Sequence, residues 1–249
     1  MKLLVLNCHE AWIHQLTVLG AQLDIVVGLP GRYTQGWDSR MRPLPAGART
    51  LTLDEVRFAG DSYDCVINHN ITDLLDTKFI DAPKLLVLHE TLEGRMAQQG
   101  AEFDAREMRA MLNTYLASVG GHAVAISRSK AKSWGVTHVV VHNSADPEAY
   151  LPYTGEIASG LRVANHITSK RVFLAWEFHE EALAGLPVRI VGHNPDMPNV
   201  EAAADWDDLK RTLSTHRFLV HTADARFEDG FNLSVLEAMA AGMPVLANR

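Results

Sequence analysis

The chain has only two cysteines in 249 residues, Cys8 and Cys65, so a disulfide framework does not supply its stability. Both fall in apolar, strand-like segments, LLVLNC and YDCVIN, and read as buried free thiols of a reducing compartment. No apolar run approaches the roughly 18 residues needed to cross a bilayer. The N-terminus, MKLLVLNCHEAW, turns polar too soon to form a secretory signal core. Together these absences read as a cytoplasmic protein with no transmembrane segment. Basic charge is also scarce: 23 Lys and Arg stand against 30 Asp and Glu, a formal net charge of -7. That balance excludes a dedicated nucleic-acid binder, which carries a basic stripe, but not a protein that holds a small anion with a few local donors. Twelve histidines are present, yet HExxH and paired Cys/His spacings are missing, so no metal is expected. His9, His14, His69 and His122 read as loop or surface residues. Tandem repeats and low-complexity tracts are absent as well.

What is there is a globular composition, 47% hydrophobic and 21% charged, enough to bury a sizeable core. The length suits one large domain or two of about 100 to 150 residues. Short, uniformly apolar runs recur: LLVLN (3–7), LDIVVG (23–28), DCVIN (64–68), KLLVLH (84–89), AVAIS (123–127) and HVVVHN (138–143). Such runs are strands buried on both faces. Helical patterns separate them, the clearest over 101–119, and strand-helix alternation implies a parallel, doubly wound sheet. A polar connector, SADPEAYLPYTGEIASG (144–160), leads to a second cycle. There LRVANHI (161–167), VRIVGHN (188–194), RFLVHT (217–222) and MPVLAN (243–248) read as strands. Segments 170–183, 206–216 and 233–242 read as helices. The expected organisation is two Rossmann-like domains, 1–150 and 151–249.

The stretch EDGFNLSVLEAMAAGMPVL (228–246) carries the most chemistry. Gly230, Phe231 and Asn232 are turn-prone, and Asn232 is a good cap for a helix starting at Leu233. The first-turn amides of a helix lack internal partners, and the macrodipole adds positive potential there. Such a terminus suits a phosphate or diphosphate. Asp229 precedes it, and Glu237 lies about one and a half turns inside with its side chain leaning back toward the start. The two carboxylates are placed to accept hydrogen bonds from hydroxyls on either side of a diphosphate, the combination a sugar nucleotide offers.

This stretch resembles the signature of the retaining, group-1 family of GT-B glycosyltransferases, which runs roughly E-[GP]-F-G-L-x-x-L-E-A-M-A-x-G-x-P-V. Asp229 stands at the first Glu and Asn232 at the usual Gly, while Glu237, Gly242, Pro244 and Val245 keep register. Other segments look similar too. VVVHNSADPEAYLP (139–152) resembles the interdomain passage of the family. RVANHITSKR (162–171) resembles the strand and turn whose Arg and Lys neutralise the donor diphosphate: Lys170 keeps its place, Asn165 replaces the Arg, and Arg171 is the candidate substitute cation. IVGHNP (190–195) matches a strand whose glycine, Gly192, lets backbone approach the ligand. LLVLHE (85–90) resembles the strand ending in a His beside the donor sugar, here His89.

The resemblance implies two Rossmann-like domains facing each other across a cleft, the second shortened because the family continues for several dozen residues beyond the position of Arg249. It implies transfer of a sugar from a UDP- or GDP-linked donor to an acceptor (glycan, lipid or small molecule) with retention at the anomeric carbon, and no required metal. Lys170 and the amides of Phe231, Asn232 and Leu233 would stabilise the departing diphosphate. Asp229 and His89 would contact the transferred sugar, and Glu237 the ribose. Another enzyme class on the same fold, a nucleotide-sugar epimerase, stays open. Three departures from the pattern favour a non-catalytic nucleotide-sugar-binding module: the exchange at Asn165, a first strand-helix turn (NCHEAWIHQL, 7–16) without Gly-Gly, and the early stop relative to the family. Asp205-Trp206-Asp207 resembles a metal-binding Asp-x-Asp but opens a helix, where Asp caps. The loop GRYTQGWDSRMRPLPAG (31–47), with Arg32, Arg40 and Arg42, reads equally as a lid or as a mobile connection.

Overall fold

The computed structural model describes residues 1–31, 35–100, 104–227 and 232–248. The chain divides into two compact units, Met1–His142 and Asn143–Arg249. In the first, strands β1 (Lys2–Leu6), β2 (Gln22–Val26), β3 (Arg49–Leu51), β4 (Cys65–Asn68), β5 (Lys84–Leu88) and β6 (Gly121–Ala125) alternate with helices. These helices are α1 (Glu10–His14), α2 (Leu53–Ala59), α3 (Ile71–Asp76), α4 (Leu92–Gln99), α5 (Ala105–Ser118) and α6 (Arg128–Trp134). The strands form one sheet in the order β3-β2-β1-β4-β5-β6, with parallel neighbours throughout. The winding reverses between β1 and β4, and in open α/β sheets ligands bind at that switch point, beyond the strand C-termini.

The uniform apolarity of the strands follows from burial of both faces. Leu3 and Val5 of β1 join Leu23, Ile25, Ile67 and Val87 in one cluster. Leu4 and Leu6 point the other way and join Val26, Val56 and Val66. One polar exception is Asp24, fully buried on β2. Its carboxylate accepts from Arg49 Nε and Nη2, each at 2.7 Å, and from Tyr63 Oη at 3.0 Å. Lys2 Nζ lies 3.3 Å away. Arg49 is its in-register partner on β3. Burial alone would raise the acid's pKa, but the bonds from Arg49, Tyr63 and Lys2 outweigh it and hold the group below the ordinary carboxylate value.

The second unit contains β7 (Ile157–Val163), α7 (Trp176–Ala182), β8 (Val188–Val191), α8 (Trp206–Thr215), β9 (His216–His221), α9 (Leu233–Ala240) and β10 (Val245–Ala247). Its four strands are parallel in the order β10-β9-β7-β8. Leu161, Leu219, Ala238 and Met243 pack on one side, and Ile167, Leu174 and Trp176 form a separate cluster. Asp205 caps α8 by accepting from Asp208 N–H at 2.7 Å, the role its sequence position suggests.

Three expectations about elements need correction, and one element was not expected. HVVVHN is not a strand: only Val140 bridges Ala125, because the chain leaves β6 for α6 there and offers one rung, and Val139 and Val141 are exposed. The last four residues of the expected connector 144–160 belong to β7, whose Gly160 reads as a turn residue but lies beneath the Phe218 ring, where a Cβ would come within 2.6 Å. A strand glycine of this kind marks close packing. The helix expected over 170–183 begins only at Trp176. The carbonyls of Phe173 and Leu174 are taken instead by Asp224 N–H at 2.9 Å and Thr222 Oγ1 at 2.6 Å, so the helical ladder cannot form through them. Finally, the short and mostly exposed β3 carries no apolar pattern, so nothing in its sequence announces it.

Candidate functional site

The second unit gathers the candidate residues at the C-terminal ends of its strands. After β7 the chain runs through Ala164, Asn165 and His166 into a 3₁₀ turn, Thr168–Lys170. After β8 it runs through Gly192, His193 and Asn194. Side chains stitch the two loops together. Asn165 Oδ1 accepts from His193 N–H at 2.8 Å, Asn194 Nδ2 donates to Ala164 O at 2.8 Å, and Asn194 Oδ1 accepts from Ile167 N–H at 2.8 Å. Asn165 thus holds a loop in place where the resembled family has a cation.

Gly192 is required for this approach. Its φ is +149°, and a Cβ there would lie 2.1 Å from Ala164 O. Lys170 is half-buried at the end of the 3₁₀ turn. Burial first, then the nearby Lys170 and His193, pull the His166 pKa below the ordinary histidine value. The rings of His166 and His193 meet edge to face, 5.1 Å apart. Arg171, the candidate substitute cation, binds Glu177 Oε1 at 2.9 Å and Glu180 Oε2 at 2.8 Å. Its guanidinium is held in that surface cluster with two exposed glutamates.

Helix α9 starts where the sequence places it. Asn232 is the N-cap, its side chain accepting from Ser234 N–H at 2.9 Å. One of the first-turn amides is therefore occupied from within the chain, and Leu233 is the first helical residue. Ser234 Oγ reaches Val163 O at 3.4 Å, which seats the helix start against the end of β7. Ser234, Glu237 and Ala238 form the buried face of α9, and Glu237 is 5% exposed. A carboxylate on a solvated helix face would not be buried this way. Asp229, Gly230 and Phe231 lie outside the described residues, so their part in the site remains a matter of sequence.

Beneath the rim sits Arg162, 1% exposed. It donates to Val220 O at 3.3 Å and to Thr222 O at 3.1 Å, tying β7 to the end of β9. Asn248 exchanges hydrogen bonds with Ala223 at 2.9 Å in each direction and so fastens the end of β10 beside it. Arg162 was not singled out from sequence, where it reads as an ordinary position in a strand run. Asn194 stands in IVGHNP where the resembled family has a second glycine, and nothing in the segment announces its bracing role.

His89 belongs to the first unit, one residue past β5. Its Nε2 lies 2.8 Å from His69 Nδ1, and Trp12 packs edge-on against both rings. His69 lies in the bend after β4, as a loop histidine, but at 9% exposure it is not a surface one. Cys8 lies in the bend after β1 rather than in a strand, and neither cysteine forms a disulfide. Glu10, 2% exposed, fills the first strand-helix turn. It accepts from Asn7 Nδ2 at 3.1 Å and from Asp38 N–H at 3.2 Å. That anchors the described part of the loop 31–47, where Arg42 is buried and Arg40 pairs with Asp38; Arg32 lies outside the described residues.

Two doubly wound parallel α/β units in one chain define the GT-B class of fold, with a four-stranded second sheet among the described residues. No protein-family model and no curated protein matches the chain. Among solved structures it is similar to TarM, with a TM-score of 0.51 over 74% of this chain at 16% identity. The chain spans 40% of the length of TarM. It also aligns with the calicheamicin glycosyltransferase CalG4 (TM-score 0.42, 15% identity, 98% of this chain and 78% of that one). The spinosyn forosaminyltransferase SpnP aligns with a TM-score of 0.45 at 12% identity, over 100% of this chain and 80% of that one. Among the described residues no helix is long and apolar enough to cross a membrane.

Proposed function

We propose that the chain is a retaining glycosyltransferase whose second unit binds a nucleotide-diphosphate sugar, UDP- or GDP-linked, and passes the sugar to a glycan, lipid or small-molecule acceptor. The reading draws on the resemblance of 228–246 to the group-1 signature and on the GT-B fold. The single observation that carries it is the burial of Glu237 beside Ser234, at a helix start seated on the end of β7. A carboxylate held at that helix start accepts hydrogen bonds from hydroxyl donors, the part the resemblance gives it toward the donor ribose.

In this proposal the bond from the anomeric carbon to the diphosphate oxygen breaks as the acceptor oxygen bonds on the same face. The acceptor proton passes to the departing phosphate. Negative charge develops on that diphosphate, and charge stabilisation there lowers the barrier most. Lys170 and the amides at the start of α9 supply it, with no metal required at that position. Asp229, Gly230 and Phe231 keep the sugar and diphosphate roles that the resemblance gives them.

A thermal-shift screen with UDP, GDP, ADP and their sugars tests the proposal. At least one nucleotide diphosphate raises the melting temperature, and Glu237→Gln, which keeps the side-chain shape, removes most of that rise. No shift from any nucleotide on well-folded protein would refute the donor site. A donor incubated alone that turns into a new sugar nucleotide would instead identify an epimerase.

A further inference from the structure

We propose that Cys8, His69 and His89 form a binding site for a divalent transition-metal ion, zinc by the nature of its donors. The three residues are far apart in sequence and meet because of the topology. Cys8 lies two residues beyond β1, His69 follows the last residue of β4, and His89 follows the last residue of β5. Strands β1, β4 and β5 are neighbours and parallel, so all three residues follow the same, C-terminal, end of the sheet. That end includes the switch point between β1 and β4.

The distances suit an ion of this kind. One donor atom from each residue lies within 4.8 Å of the other two, and the closest pair, His69 Nδ1 and His89 Nε2, are 2.8 Å apart. Metal–nitrogen bonds of about 2.0–2.1 Å and metal–sulfur bonds of about 2.3 Å put tetrahedral donors roughly 3.3–3.6 Å from one another. An ion therefore needs the two imidazoles to part by about half an ångström and the sulfur to move inward, adjustments within side-chain torsions. The cluster is held in readiness. Trp12 packs edge-on against His69 and His89, with ring centroids 4.8 and 5.2 Å apart. The backbone N–H of His69 donates to Asp73 Oδ2 at 2.9 Å.

The donor set selects the ion. A thiolate with two imidazoles suits zinc and its neighbours in the first transition row, whereas magnesium and calcium require oxygen ligands. Three protein donors leave a fourth position for water or for a ligand oxygen. On binding, the Cys8 thiol releases its proton to solvent. The proton between the two imidazoles moves to a ring nitrogen that does not face the ion. Each histidine ligates through one nitrogen and keeps the other as a hydrogen-bond donor. The assignment uses residues of the first unit only and does not rest on the donor site proposed for the second.

Cobalt(II) and zinc titrations of the whole chain, stripped of metal by a chelator, test it. One cobalt ion binds per chain and produces a thiolate-to-cobalt charge-transfer band together with the visible bands of tetrahedral coordination, and zinc displaces it. Cys8→Ser abolishes the charge-transfer band, while Cys65→Ser retains it. His69→Gln and His89→Gln each weaken zinc binding by at least about 100-fold. Circular dichroism confirms that every variant is folded, and with three ligands to vary the test survives the loss of any one of them. Cobalt bound without a charge-transfer band, binding unchanged in Cys8→Ser, or no stoichiometric binding would overturn the proposal. The nucleotide-induced thermal shift persists in chelator, so failure of one site is distinguishable from failure of the other.

Discussion

Gly192→Ala places the largest calculable strain on the candidate donor site. The added Cβ would sit 2.1 Å from Ala164 O and 2.7 Å from Asn165 Oδ1. Ordinary van der Waals contact starts at about 3.4 Å, so the two loops must separate by more than about 1 Å. That movement opposes three hydrogen bonds: Ala164 N–H to Val191 O at 3.0 Å, Asn194 Nδ2 to Ala164 O at 2.8 Å, and His193 N–H to Asn165 Oδ1 at 2.8 Å. Alanine also disfavours the φ of +149°, a conformation that costs about 1–3 kcal/mol. Overpacking adds about 1–3 kcal/mol. The expected loss is roughly 3 kcal/mol or more, which for a unit of this size lowers the melting temperature by about 12 °C or more. Gly185→Ala is the control: its φ is +78° with nothing within 4 Å of the new Cβ, so it isolates the backbone cost alone. Hydrogen exchange on the whole chain should show protection falling in β7 and β8 while the strands of the first unit are unaffected. A Gly192→Ala protein no less stable than Gly185→Ala would refute the argument for loop contact.

Two further outcomes follow from buried titratable groups. His179, 5% exposed and stacked on Trp176, has its pKa pulled down to about 4, first by burial and then by Arg162. The unfolded chain takes up that proton near the ordinary 6.5, so the contribution of this site to stability is whole above pH 6.5. It falls by about 3 kcal/mol as the pH drops toward 4. His179→Gln should remove that part of the acid slope, and an imidazole NMR titration placing His179 near 6.5 would contradict it. Asp24→Asn removes the buried anion shared by Arg49 and Lys2, which are 46% and 23% exposed and also face Asp61, and should cost about 1–3 kcal/mol in denaturant unfolding at neutral pH. A loss under about 1 kcal/mol would mean that the other carboxylate near them, Asp61, carries the cluster.

The strands of the first sheet were legible because both of their faces are buried, so β1, β2, β4, β5 and β6 all read as apolar runs of strand length. The α9 start was legible for a different reason: Asn232 caps through local geometry that the sequence states directly. The failures share one cause. The segment Arg171–Ala175 has helical spacing, yet Asp224 and Thr222, some fifty residues on, take the carbonyls that helix would use. HVVVHN has strand composition, but β6 turns into α6 and leaves it one rung to pair with. Gly160 announces a turn until Phe218 of the neighbouring strand is seen to cover it.

The candidate donor site divides in the same way. Asn232, Leu233 and Glu237 were read from capping and helical spacing and Lys170 and Gly192 from the family resemblance, each tied to a strand end or helix start nearby in sequence. The roles of Asn165 and Asn194 as cross-braces, the commitment of Arg171 to two glutamates, and the buried Arg162 under the rim came only from the packed loops. Local sequence thus determined the alternation of elements and the starts of capped helices such as α8 and α9, because capping and periodicity act over a few residues. Tertiary structure alone brought Cys8, His69 and His89 to one end of the sheet, because 61 and then 20 positions separate them. Only the order in which parallel strands pair turns such separations into a few ångströms.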